Sequence, residues 1–184
     1  VGGVMKDGDW ELQRDMVKEL PGKKADAVIL APADSSNMTA SAKTLREQKL
    51  PVFLVDTALS SNDYDAAFIT DNLEAGAEVC QQMVEQMKAS GVKESEEATV
   101  LVHVSTLAST TISDRLNSIM ANWGKFASAS WKIEHDYIIN YGDEAGAFKL
   151  VTEKIKNTHN VKGIIACNNG STNATVEAVM AAGR

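Results

Sequence analysis

Asp56 ends the run Val52-Phe53-Leu54-Val55 and opens a polar loop, within the stretch PVFLVDTALSSNDYDAAFITDNLEAG of residues 51–76. β-Branched and aromatic residues favour a strand, and a carboxylate at the carboxyl end of a buried strand stands where open α/β sheets take their ligands. An aspartate also serves turns, so residue type alone leaves both roles open. Other chemistry is harder to find. No G-x-G-x-x-G, Walker A, G-x-S-x-G or C-x-x-C motif occurs, and His103, His135 and His159 are scattered, with no carboxylate at metal-ligand spacing. His103 lies inside an apolar run and reads as a hydrogen-bonded core residue. The motifs give catalysis no support and imply no cofactor.

The elements that would position Asp56 alternate along the chain. Trp10, Leu12, Met16, Val17 and Leu20 have helical spacing after Asp9, and Pro21-Gly22 closes that segment. Residues 27–31, AVILA, read as a strand buried on both faces, as in a parallel sheet. A turn at 32–35 leads into a helix carrying Met38, Ala42 and Leu45, with Asp34 or Ser35 expected as its N-cap. Strands follow at 52–55 and 66–70. Asp71 or Asn72 is expected to cap a helix over 73–89, with Gly76 at a close packing contact. The Glu- and Lys-rich residues 91–98 read as a surface loop. Beyond them come a strand at 99–104, a helix at 113–126, a strand at 132–139, a helix at 144–156, a strand at 163–166 and a helix at 171–182. Strands alternating with helices mean βαβ units and parallel sheets.

Composition narrows the class. The 184 residues are 44% hydrophobic and 23% charged, which describes a globular chain able to bury a substantial core. A net charge of −7 with no basic cluster argues against nucleic acid as a partner. No apolar run approaches the roughly 20 residues that cross a bilayer. Cys80 and Cys167 form neither a metal cluster nor a disulfide framework, and both read as small buried residues. The chain starts at Val1 with no initiator Met and no signal segment, the expectation for a mature form, an expressed piece or a fragment.

The wording P-V-x-x-x-D … F-I-x-x-D-N-x-x-A-G resembles the periplasmic sugar-binding proteins of the ribose-binding type, which share their fold with the effector domains of LacI-type repressors. DAVILAPADS (26–35) resembles that family's third strand and following turn. PVFLVDT resembles the fourth strand, whose last residues contact sugar hydroxyls, and this carries Asp56 and Thr57 over as ligand contacts. Thr57 stands where relatives often have a cation. TDNLEAG (70–76) is the most specific match. STTISDRLNSI (109–119) resembles the segment written R-x-x-G-F. There Arg115 takes the arginine position, Thr111 and Ser113 take positions that often touch ligand, and Ser118-Ile119 replace Gly-Phe. GIIACNNG (163–170) resembles A-x-N-D, with Asn168 on the ligand-binding asparagine and Asn169 in place of Asp.

The resemblance implies an α/β fold of two similar lobes, each a parallel sheet flanked by helices, of the periplasmic binding protein type I and incomplete at both ends. Residues 1–72 would be a partial N-terminal lobe without its first strand and helix. Residues 73–184 would be a partial C-terminal lobe without its last strands and return crossings. The implied function is capture of a sugar or related polyol in a cleft between lobes and delivery to the permease of an ABC transporter, with no enzyme activity. Vicinal hydroxyls both donate and accept: a carboxylate accepts two, a guanidinium donates to two, and an amide does one of each, and Asp56, Arg115 and Asn168 are those groups. The aromatics that stack on sugar in relatives would precede Val1, and Trp10, Trp123 and Trp131 do not occupy their positions. The implied location is the periplasm, or the cell exterior with a lipid anchor. The same resemblance admits a LacI-type effector domain, which would be cytoplasmic, or a receptor module for chemotaxis or kinase signalling. A flavodoxin-like enzyme is a more distant alternative.

Overall fold

The computed structural model describes residues 2–183. They divide into two compact units: the first runs to Thr70 and takes back Leu107–Ser113, and the second takes Asp71–Thr106 and the residues from Asp114 onward.

In the first unit, Asp9 starts helix α1 (Trp10–Lys18) by accepting a hydrogen bond from the Leu12 N–H at 3.3 Å. Strand β1 (Val28–Leu30), helix α2 (Thr39–Glu47), strand β2 (Val52–Val55) and strand β3 (Ala66–Phe68) follow. The strands pair in parallel in the order β1-β2-β3, with Val28 opposite Val52 and Phe53 opposite Ala66. Parallel neighbours require a crossover, and α2 is the crossover between β1 and β2. Val28, Leu30, Val52 and Leu54 form one core with Val17 of α1 and with Met38, Ala42 and Leu45. Each buried Val or Leu contributes about 1.5–3 kcal/mol, so this face alone holds the sheet to its helices.

The sequence expectation of strands buried on both faces fails at β1. Side chains alternate across a strand, and Ile29 and Phe68, on the face away from that core, are 73% and 68% exposed. Helices α1 and α2 cover one face only, so the apolar run here does not report two-sided burial. The expected helix cap at Asp34 or Ser35 also shifts. α2 begins at Thr39, with Met38 at the N-cap position. Asp34 Oδ1 instead accepts from the N–H groups of Ser36 and Asn37 at 2.8 and 2.7 Å, holding the turn before the helix.

The second unit contains helix α3 (Asn72–Ala89), strand β4 (Ala98–Val104), the body of helix α4 (Thr110–Phe126), strands β5 (Trp131–Ile133) and β6 (Ile138–Ile139), helix α5 (Glu144–Asn157), strand β7 (Val161–Ala166) and helix α6 (Asn169–Ala181). β4 is central and pairs in parallel with β5, β6 and β7. Leu101, Ile138, Val151, Ile155 and Ala178 make a core between this sheet and the α5–α6 pair. The strand expected over 132–139 is two short strands. Glu134, His135 and Asp136 interrupt the apolar run, and Glu134 Oε1 accepts from the Asp136 N–H at 3.0 Å in a local turn. Asp71 caps α3, accepting from the Glu74 N–H at 3.0 Å, as the sequence predicts. Gly76 is also where close approach demands it: a Cβ there would lie 2.6 Å from both Arg115 O and Ser118 Cβ. Both cysteines are buried and free. No described helix is long and apolar enough to cross a membrane.

Candidate functional site

In the first unit the carboxyl end of β2 turns back at once. Asp56 has φ +66°, and its neighbours are joined across it by a hydrogen bond from Thr57 N–H to Val55 O at 2.7 Å. An i→i+2 turn with positive φ at a non-glycine centre is strained and held only where surrounding bonds dictate it. Those bonds are present. The Asp56 N–H donates to Phe68 O at 3.1 Å, and the Asp56 carbonyl accepts from Thr111 Oγ1 at 2.7 Å. The result is an exposed carboxylate fixed at the end of a parallel sheet.

Hydroxyls gather behind it. Thr57 Oγ1 lies 3.1 Å from Asp56 Oδ2, 3.1 Å from Ser109 Oγ and 3.2 Å from Thr111 Oγ1. Each hydroxyl has one proton. The Thr111 proton goes to the Asp56 carbonyl and the Thr57 proton to the Asp56 carboxylate, so Ser109 donates to Thr57. Ser35 stitches the same region. Its N–H donates to Ala108 O at 3.0 Å, its carbonyl accepts from the Ser60 N–H at 2.8 Å, and its Oγ accepts from the Thr110 N–H at 2.9 Å. Asp56, Thr57 and Thr111 are thus brought together, whereas Ser113 turns its Oγ to Thr110 O at 3.3 Å, within its own helix. From the sequence Ser35 stands out only as a candidate helix cap, and Ser109 not at all. The run Ser109-Thr110-Thr111 was the available signal, since consecutive hydroxyls at a helix start bond to neighbouring backbone.

In the second unit, Arg115 donates from Nε to Asn72 Oδ1 at 2.8 Å and from one terminal nitrogen to Cys167 O at 2.7 Å. It therefore ties the start of α3 to the end of β7, immediately before Asn168. Asn168 is extended and precedes α6. Its carbonyl accepts from Thr172 N–H at 2.9 Å, while its side chain makes no capping bond to the helix. At the end of β6 stands a residue the sequence reading passed over. Tyr141 has φ +51° and is 70% exposed, followed by Gly142 at φ +72° and by Asp143, which caps α5. A bulky residue held left-handed and exposed at a parallel strand's carboxyl end is a candidate site residue on backbone grounds. Only the Tyr-Gly pair hinted at it.

Nucleophiles are disarmed. Burial pushes the Cys80 and Cys167 thiols up to about 11, and it pulls buried His103 down to about 4 against a backbone hydrogen bond with Ser171. Among the described residues no group of three or more His, Cys, Asp or Glu could hold a metal ion.

Residues 4–184 match the model of the family described as periplasmic binding protein domain. No curated protein matches the chain at a significant level. Among solved structures, an ABC transporter solute-binding protein from Agrobacterium vitis with bound D-fucose is similar at TM-score 0.84 and 22% identity, over 97% of this chain and 59% of that one. The periplasmic component of an ABC-type sugar transport system from Hahella chejuensis is similar at TM-score 0.82 and 20% identity, over 97% and 62%. A carbohydrate transporter solute-binding protein from Agrobacterium radiobacter in complex with D-arabinose gives TM-score 0.81 and 15% identity, over 97% and 59%. These likenesses show the fold, and the chain spans 59–62% of the length of those proteins.

Proposed function

The chain belongs to the periplasmic binding protein domain family, and from that premise we propose that it serves capture of a sugar or related polyol for delivery to an ABC-type membrane transporter. The observation that carries this reading is Asp56: an exposed carboxylate at a strained turn, at the carboxyl end of β2, fixed from behind by Thr57 and Thr111. A carboxylate so placed accepts from two vicinal hydroxyls, and the Thr57 hydroxyl, itself an acceptor from Ser109, donates to it from behind. In the second unit Arg115 and Asn168 are the proposed polar contacts, and Tyr141 the apolar one. Arg115 holds the backbone before Asn168 through Cys167 O, so its role includes setting the asparagine as well as meeting ligand.

The reading contains no covalent step, and buried neutral thiols and a buried neutral imidazole support binding over catalysis. Delivery to a permease places the protein in the periplasm or at the outer cell surface. A thermal-shift screen tests the assignment, because a ligand that binds only the folded state raises its stability by RT ln(1 + [L]/Kd). Pentoses, hexoses and polyols at millimolar concentration are expected to include at least one that raises the melting temperature of the complete protein. A flat response to the whole panel would refute the proposal.

A further inference from the structure

His103 is the only titratable side chain in β4, and it is fully buried within an otherwise apolar strand end. Its two ring nitrogens meet partners from different elements: Nδ1 lies 2.9 Å from Thr175 Oγ1 of α6, and Nε2 lies 3.1 Å from Asn140 Nδ2, just past β6. The orientation of the Asn140 amide is fixed by a third contact. The Gly142 N–H can only donate, and it lies 2.9 Å from Asn140 Oδ1. The Asn140 NH2 group therefore faces the ring and also Ser171 Oγ at 3.2 Å. A donor facing Nε2 makes that nitrogen the acceptor, which places the ring proton on Nδ1, donating to Thr175.

We propose that His103, locked as the neutral Nδ1–H tautomer, is a positioning residue for two loops at the carboxyl end of this sheet: Asn140–Asp143, which carries Tyr141, and Asn168–Ser171. One fully buried ring thereby acts on an exposed aromatic and a proposed ligand amide through Asn140 and Ser171. This rests on the proposed function for its ligand side and on hydrogen-bond geometry for its positioning side.

The groups facing the ring are neutral from each packed element: Ile138 and Asn140 from β6 and its end, Ala166 and Cys167 from β7 and its end, and Ser171 and Thr175 from α6. The Cys167 thiol is held up to about 11, and the Glu144 carboxylate lies against Gly170, one residue before Ser171. Protonating Nε2 would set an N–H against the Asn140 NH2, donor against donor.

The test has two arms. Long-range 1H–15N correlation spectra of this chain report the tautomer of each of the three histidines, and His103→Gln assigns the signals of interest by removing them. The expected result is the Nδ1–H pattern at pH 7, with the ring staying neutral until the pH approaches 4. His103→Leu should move the backbone amides of residues 140–143 and 169–172. An Nε2–H pattern, titration near 6.5, or loop amides unmoved by either variant would overturn the proposal.

The second arm is calorimetry of the complete protein with D-fucose and D-arabinose as probes. His103→Leu should bind roughly tenfold more weakly than the parent. His103→Gln should recover part of that, because its carbonyl keeps an acceptor facing Asn140, and its affinity should not follow the imidazole titration. The difference between parent and His103→Gln isolates the histidine. Loops that move without any change in affinity for a sugar the parent binds would overturn the positioning role. If the parent binds no sugar, the function proposed above fails while the spectra still decide the tautomer and the loops. If His103→Leu does not fold, His103→Gln carries both arms.

Discussion

At Asp56 the strain and the chemistry separate cleanly by substitution. Asp56→Ala and Asp56→Gly both remove the carboxylate that Thr57 donates to, but only glycine accepts φ +66° without cost. The glycine variant should therefore be more stable than the alanine variant by about 1 kcal/mol, while both lose the proposed ligand contact. Urea unfolding of the pair reads the first difference directly. Equal stabilities would mean that the turn relaxes on losing its aspartate. Arg115 makes a second residue-scale case. Its bonds to Asn72 and Cys167 hold two chain segments, and a hydrogen bond to a charged group is worth about 1.5–3 kcal/mol. Arg115→Ala should weaken sugar binding roughly ten- to more than a hundredfold, and Arg115→Lys should recover only part, since a point charge cannot make paired contacts. An alanine variant that binds as the parent does would remove Arg115 from the site.

Among the elements, the close contact of α3 with α4 within the second unit is the most sharply testable. A Cβ at Gly76 would sit 2.6 Å from a backbone carbonyl, so the two helices must separate or shift. Gly76→Ala should destabilise by roughly 1–3 kcal/mol despite alanine's better helix propensity, whereas Asp71→Ala should cost about 1 kcal/mol as a lost cap. Denaturant midpoints of the two variants check both figures. Asp71 was legible in the sequence because a cap acts over a few residues of chain, whereas the glycine at 76 showed a close contact but not its partner on α4. The alternation of strands and helices was legible for the same reason as the cap. Strand β1 was misread because an apolar run cannot say how many of its faces have a partner: Ile29 looks the same buried or exposed. The split of β5 from β6 escaped because a three-residue polar interruption leaves the apolar flanks intact. The hydroxyl cluster around Asp56 was only half legible. Thr57 and Thr111 are 54 residues apart and meet through tertiary pairing, which no local spacing announces.

For the molecule as a whole, acid should act through His103. Its ordinary pKa of 6.5 falls to about 4 when the chain folds, so between those values the unfolded state binds more protons than the folded one. The stability contributed by the buried neutral ring is complete above pH 6.5, is lost as the pH falls, and is gone below about 4. The loss should total about 3 kcal/mol, and His103→Gln should flatten that part of the stability–pH profile. A parent and variant with superimposable profiles would show the ring to titrate alike in both states.

The central proposal is that this chain takes part in sugar binding, with Asp56 and Arg115 each a proposed ligand contact, and isothermal titration calorimetry of the complete protein meets it most directly. With the sugar that gives the largest thermal shift, the parent should show saturable binding, and Asp56→Ala and Arg115→Ala should each weaken it roughly tenfold or more. Binding unchanged in both variants would contradict the account.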